Sequence, residues 1–485
     1  MTAQLRQPSF SELYTPKLIV ALRERYGLVA FKADLLAGLT VAIVALPLSM
    51  AIAIASGVTP DRGLYTSIFG GFVVSVLGGS RFQIGGPAGA FIVLVAAAVA
   101  RHGVDGVILA TFLAGMILLA VGFLRLGAFI KYIPYPVMVG FTSGIAVIIF
   151  ASQVKDLLGL NLPSGEPGPI LPKARALAAA LPTANWAAIA VAASAIVVMV
   201  VIRKYRPHWP AYLIAVGLGA VATALLGLPI ETIGSRFGGI PQAIPAPRLP
   251  ALSLGKIVEM LPTAFSFALL AGIESLLSAV VADSMTGRRH RSNGEIVAQG
   301  AANIASALFG GICTTGLIAR TATNVRAGAR SPIAGMLHSI FLLLFMLLAA
   351  PLARYIPLAA LAAVLAVVAW NMAEKHEFLT LLRASRGDAV VLLATFALVV
   401  FRDLTEGILV GFGIGALLFL HRMAQTARVE LPEPAGGDEA PFLATDPDIV
   451  AYRISGAFFF GSAASVAMAL DRIGEHPKAY VIDFS

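Results

Sequence analysis

Between Asp34 and His421 the chain strings together fourteen apolar segments, near 34–56, 63–79, 87–100, 105–124, 133–152, 184–202, 210–228, 257–282, 295–311, 322–329, 332–353, 358–372, 388–401 and 406–421. Crossing a bilayer takes about 20 apolar residues in a helix, so 485 residues suffice for many crossings. Charged residues make up only 13% and hydrophobic ones 58%, whereas a soluble domain carries about a quarter charged residues. In lipid a lone segment can satisfy its own backbone only as a helix. The pattern predicts an all-α polytopic membrane protein. Segments too short to span alone are explained by breaks and by ends punctuated with proline.

Two of the breaks match. One runs Arg81-Phe82-Gln83-Ile84-Gly85-Gly86-Pro87-Ala88-Gly89-Ala90, the other Gly316-Leu317-Ile318-Ala319-Arg320-Thr321-Ala322-Thr323-Asn324, and they occupy corresponding places in the two halves. Paired interruptions of this kind point to the substrate site of a secondary transporter. Pro87 suits the first turn of a helix, where its missing N–H costs nothing. A helix starting there would turn free N–H groups and the positive end of its dipole toward the midplane, an arrangement suited to an anion. A second helix starting near Thr321–Thr323 would offer the same end, with hydroxyls as caps or ligands. Ordinary kinks at Gly and Pro would account for either break alone; the match favours a site.

Two ionisable residues stand inside apolar sequence. Arg320 would pair with an anion or raise the local potential, since an intramembrane arginine is costly and marks function by default. Its structural alternative is a pair with a carboxylate or with exposed carbonyls. Glu274 would be a proton carrier, or else a carboxylate satisfied by backbone or by Arg320. His102, His338 and His421 are isolated and read as structural or exposed. Gly140 with Gly144, and Gly411 with Gly415, have the spacing that lets helices pack closely. There is no Walker A sequence, no Cys/His cluster and a single cysteine, Cys313. Neither a nucleotide-driven pump nor an enzyme is expected, and no cofactor or metal.

The net charge of +9 comes from short basic clusters between apolar segments: Arg203, Lys204 and Arg206; Arg288, Arg289 and Arg291; Arg383 and Arg386. That is the positive-inside pattern and not a nucleic-acid surface. It places both termini in the cytoplasm. Residues 1–31 read as a lead-in helix, not a signal peptide. Residues 32–228 and 257–423 then form two halves of seven spans, joined by the Pro-rich connection 229–256. Because seven is odd, the second half must be inverted relative to the first. The stretch 424–447 is acidic and rich in Pro and Gly, a linker. Residues 448–485 open a small α/β domain, with strands at 449–454, Ala457–Phe460 and 479–484 and a helix at 463–473.

The residues carry a family likeness. Thr59-Pro60-Asp61-Arg62-Gly63-Leu64-Tyr65-Thr66-Ser67 looks like a P-x-x-G-L-Y-[ST]-S signature, and Ala282-Asp283 through Thr286-Gly287 looks like the exit from span eight. Glu295, Gln299, Gly300 and Asn303 fit E-x-x-x-Q-G-x-x-N, and Ile318 through Asn324 with Ala327–Pro332 fits the tenth-span motif. Over roughly residues 15–485 the chain resembles the sulfate permease (SulP) family of anion transporters. The resemblance implies a core domain (spans 1–4 and 8–11) moving against a gate domain (5–7 and 12–14), a C-terminal STAS domain present in its first part, and often a homodimer. It also implies a substrate site at Gly86, Pro87, Ala88, Gly89 and Ala90 of the third-span start and Arg320 and Thr321 of the tenth. Leu48 and Ile52 of span one would flank it, with Glu274 on the acidic position of span eight. Leu48 stands where many relatives have Gln, and Ala88 where vertebrate members have Phe, which leans toward a roomier pocket for a dicarboxylate. The expectation is an inner-membrane secondary transporter of a small anion, fumarate-like or sulfate, coupled to protons. Alternatives are a bicarbonate or nucleobase carrier of the same fold, or an anion channel or sensor.

Overall fold

Apolar sequence folds as helix in lipid because nothing outside the chain can take its N–H and C=O groups. A computed structural model of the protein follows that rule. It describes residues 9–24, 26–127, 134–163, 165–207, 209–402 and 404–424, and the backbone of 428–430, 449–455 and 479–483. Two short helices, α1 (Phe10–Tyr14) and α2 (Lys17–Arg23), precede α3 (Leu28–Ala55). The lead-in is thus two helices, not one. The first long helix begins before 32, because Leu28 to Ala33 already favour helix and nothing there stops it. Next come α4 (Pro60–Tyr65), α5 (Gly71–Leu77), α6 (Phe91–Phe123), α7 (Tyr135–Leu158), α8 (Ile170–Ala180), α9 (Trp186–Tyr205), α10 (Ala211–Leu226) and α11 (Ile233–Phe237). The second half holds α12 (Leu254–Thr286), α13 (Ser292–Leu308), α14 (Ile318–Arg326), α15 (Ile333–Ala353), α16 (Leu358–Met372), α17 (Lys375–Ala384), α18 (Arg386–Phe401) and α19 (Leu404–Ala424).

Among the described residues, eight helical stretches are long and apolar enough to cross a membrane. The remaining apolar segments fold as shorter helices. The segments 87–100 and 105–124 run on as α6, broken at Gly103, whose φ of 68° is left-handed. Three helices were not anticipated: α8 and α11 inside the connections, and the amphipathic α17, whose charged residues hide its apolar side from a hydropathy reading.

Packing sorts the helices into two bundles. One holds α3 to α6 with α12 to α15; the other holds α7, α9 and α10 with α16 to α19. Contact between them runs largely from α3 to α10 and α16. The predicted small-residue contacts occur within the chain. A Cβ on Gly140 would meet the Leu392 carbonyl oxygen at 2.6 Å, and one on Gly411 would meet Thr395 Oγ1 at 2.1 Å.

The breaks hold two short strands, β1 (Gly85–Gly86) and β2 (Thr315–Gly316); past α19, strands β3 (Arg428–Glu430), β4 (Ile449–Ser455) and β5 (Ala479–Asp483) form one sheet in that order, β3 antiparallel and β5 parallel to β4. Strand β3 lies in the stretch expected to be linker. The expected strand at 457–460 and helix at 463–473 fall outside the described residues.

Candidate functional site

The two breaks meet as backbone. Gly85–Gly86 and Thr315–Gly316 form a two-residue antiparallel ladder, Gly85 opposite Gly316 and Gly86 opposite Thr315. The ladder continues with Leu317 N–H donating to the Ile84 carbonyl at 2.9 Å and Ile84 N–H donating to Thr321 Oγ1 at 3.1 Å. Extended segments inside a membrane must find such partners, and here each break is the other's partner. Close approach fixes the glycines: a Cβ on Gly86 would lie 2.8 Å from Arg320 Nη1, and one on Gly316 would lie 1.8 Å from Gln83 Nε2.

One helix holds both breaks. On α13, Glu295 accepts from Ser80 N–H at 2.9 Å at the head of the first. Two turns along, Asn303 Oδ1 accepts from Thr314 N–H at 3.0 Å, and its Nδ2 donates to the Thr314 carbonyl at 2.9 Å. The amide of Asn303 thus behaves as a strand edge for the second break. Gln83 Nε2 donates to Ser275 Oγ on α12 at 2.7 Å, and Asn324 Nδ2 donates to the Phe82 carbonyl at 3.0 Å. At the same end of the first break, Arg81 pairs with Glu24, just past α2. Lys17 N–H donates to the Gly78 carbonyl at 2.9 Å. The Arg81 hydrogen bond holds the Glu24 carboxyl below its ordinary value; burial, then Arg291 and Arg81, push the Lys17 amine down.

Helix α6 starts at Phe91, four residues after Pro87, because residues 85–86 are committed to the ladder; tight bonds from Phe91 N–H to Ala88 O and Ile92 N–H to Gly89 O (both 3.1 Å) form its first turn. Helix α14 starts earlier than Thr321, at Ile318. Neither start carries a side-chain cap. Thr321, expected as cap or ligand, is engaged: it accepts from Ile84 N–H and from Ser278 Oγ of α12 at 3.0 Å.

Arg320 is 2% exposed. Its guanidinium donates to Ser49 Oγ (3.1 Å) on α3 and to Ser67 Oγ (3.3 Å) in the π-helical stretch Thr66–Gly70 that joins α4 to α5; the two hydroxyls lie 2.8 Å apart. No carboxylate among the described residues reaches it, so hydroxyls orient the charge without cancelling it. Sequence reasoning missed Ser49 and Ser67. The available signal was a serine inside an apolar span, next to Leu48, in a chain where polar side chains in lipid seek partners. Leu48 and Ile52 are buried among apolar side chains. Glu274 is half-buried one turn before Ser278, and among the described residues no hydrogen bond or ion pair joins it to Arg320 or to any other side chain. Gly86, Pro87, Ala88, Ala90, Arg320 and Thr321 are buried, while Gly89 and Leu317 to Ala319 are partly or fully exposed. A side chain at Gly89 would face Ile149 of α7 and Met372 of α16, at 3.3 and 3.5 Å, so the second bundle covers this mouth. Two cavities, of about 350 and about 320 Å³, lie away from these residues.

Residues 31–395 match the profile of the sulfate permease family. A Bacillus subtilis protein named YvdB, described as a candidate sulfate transporter, is 42% identical over 463 residues, covering 94% of this chain and 86% of its own. The transmembrane domain of a cyanobacterial bicarbonate transporter, BicA, superposes with a TM-score of 0.72 at 30% identity, covering 79% of this chain and 98% of its own. Murine Solute Carrier 26 family member A9, an anion transporter solved in the inward-facing state, gives a TM-score of 0.83 at 20% identity over all of this chain and 87% of its own; this likeness is one of fold.

Proposed function

The chain belongs to the sulfate permease family of anion transporters, and from that premise we propose that it is a secondary active transporter of a small oxyanion, held between the starts of α6 and α14. The observation that carries this reading is Arg320, buried, oriented by two hydroxyls and left without a counter-charge. A buried cation with no carboxylate is costly, and a transported anion relieves that cost at each binding event. The uncapped N–H groups of both helix starts add favourable potential on the same side. Gly86, Pro87, Ala88, Gly89 and Ala90 shape the wall, with Leu48 and Ile52 behind it; Thr321 locks the two breaks together.

Sulfate, bicarbonate and a C4 dicarboxylate such as fumarate are the substrates to test. Relatives described as sulfate and bicarbonate transporters support the first two; the small side chain of Ala88 supports the third. Glu274 carries the coupled proton, as an unpaired carboxylate one turn from the Ser278–Thr321 contact. Alternating access is elevator-like: the bundle bearing both breaks slides against the other. The division into two bundles supports it, as do fourteen apolar segments arranged as a 7+7 inverted repeat in which each half contributes to both bundles. Strands β3 to β5 open a STAS domain, the protein sits in the inner membrane with both termini cytoplasmic, and it pairs as a homodimer.

Uptake of labelled sulfate, bicarbonate and fumarate into proteoliposomes, with and without an imposed pH gradient, tests the reading. Saturable accumulation of one of them is expected, with acceleration when protons run inward. Glu274→Gln should keep exchange of that anion but lose the response to the gradient. Accumulation that ignores a collapsed gradient would remove the proton, and large single-channel currents without accumulation would replace the carrier by a channel.

A further inference from the structure

Helix α6 leads away from the first break with a second feature on one face. Leu94, Ala97 and Arg101 follow Phe91 at spacings that keep them on adjoining sides of the helix. With Phe265 and Ser266 of α12 and Thr405 of α19 they line a cavity of about 350 Å³. The cavity straddles the two bundles: α6 and α12 belong to one, α19 to the other. Ser266 Oγ and Thr405 Oγ1, 2.9 Å apart, bridge it. Arg101 is exposed, and no described carboxylate pairs with it. On the neighbouring α12, Glu259 is engaged by His102 at 2.9 Å. Among the described residues the chamber therefore holds one guanidinium without a carboxylate partner, and its walls are largely apolar. Ten residues of helix separate Arg101 from Phe91, about 15 Å at 1.5 Å per residue. An anion at Arg101 therefore lies well beyond hydrogen-bond reach of the start of α6.

We propose that this cavity is a second anion-holding station, in which Arg101 takes the paired oxygens of a small oxyanion before or after its passage to Arg320. A guanidinium matches two coplanar oxygens, the chemistry that sulfate, bicarbonate and carboxylates share. A cleft of one sign with low-dielectric walls also raises the local concentration of its counter-ion. The route rests on the transporter reading; binding at Arg101 stands apart from it.

The native cysteine, Cys313, is fully buried, so an Ala97→Cys variant of the whole chain in proteoliposomes presents one reactive thiol in the cavity. Labelling by a membrane-impermeant maleimide is measured from each side, with sulfate or fumarate as probe. At about ten times its dissociation constant the probe should slow labelling roughly tenfold. In the Ala97→Cys, Arg101→Gln double variant that protection should vanish while labelling in anion-free buffer keeps its rate. Ser266→Cys, on the facing wall, repeats the test if the first variant folds poorly. No protection by either probe, or equal protection in the presence of Arg101→Gln, overturns the proposal. Protection that persists without any uptake would sink the transporter reading and leave the station standing.

Discussion

The two breaks pair through two residues each, yet they are built from different materials. From Gly85 to Ala90 the first break carries no polar side chain, and the amide of Gln83 just before it turns to Ser275 of α12; this side supplies backbone and closeness. The second supplies chemistry: Thr315 donates to the Ala271 carbonyl at 2.9 Å, Thr321 accepts from Ile84, and Arg320 brings the charge. The difference teaches a division of labour. A guanidinium can sit beside an extended strand in lipid only if that strand has no side chains to displace it, so bareness on one side permits function on the other. Helix α13 sets the spacing, with Glu295 on the first break and Asn303 on the second.

Removing the charge should break the comparison most severely. Arg320→Ala leaves Ser49 and Ser67 bonded to each other, so the fold should survive. Hydrogen bonds to charged groups contribute about 1.5–3 kcal/mol, so substrate capture in proteoliposomes should weaken about 10- to 100-fold. Arg320→Lys should recover only part, because an ammonium cannot span both hydroxyls and an anion as a planar fork does. Normal uptake by the alanine variant would return Arg320 to a structural role.

Cutting the ruler comes next. Asn303→Ala strands the buried N–H and C=O of Thr314, each at about 1–3 kcal/mol. The second break should loosen, read as a lower melting temperature and faster amide exchange around 314–316, with the first break less affected. Equal loosening of both would mean that the ladder, not α13, sets their separation.

Adding one methyl sharpens the contrast within the first break. Gly86→Ala forces its Cβ against Arg320 Nη1 and Ser67 Oγ, an overpacking cost of about 1–3 kcal/mol, and should lower anion affinity roughly tenfold. Gly89→Ala meets only flexible ends of Ile149 and Met372 and should change uptake far less. Similar losses at both would show that the wall, not the guanidinium, is being disturbed.

The smallest effect is expected at the tether of the first break. The Glu24 carboxyl is held below its ordinary value by Arg81, so its stabilisation is present above the unfolded-state value and fades as pH falls through the folded one. Because Glu24 is half exposed, the difference should be a few tenths of a kcal/mol, at most about 1. Glu24→Gln should lower the melting temperature slightly at neutral pH and flatten the acid limb, so that the two profiles converge as pH falls. An unchanged acid limb would remove Glu24 from the anchoring of this break.

The sequence by itself determined the helical, membrane-spanning character, most helix positions, the two breaks and the residues that carry charge inside the apolar mass. Those follow from local rules: lipid offers no hydrogen bonds, Gly and Pro interrupt helices, and a lone arginine there demands a reason. Only the tertiary structure decided that the breaks pair strand to strand, that both helices begin where the ladder lets them, and that Thr321 is a lock. It alone paired Arg320 with Ser49 and Ser67 instead of Glu274. Those outcomes depend on which distant segments meet, and the partners lie 253 and 271 positions from Arg320 along the chain, where no periodicity or local propensity could register them.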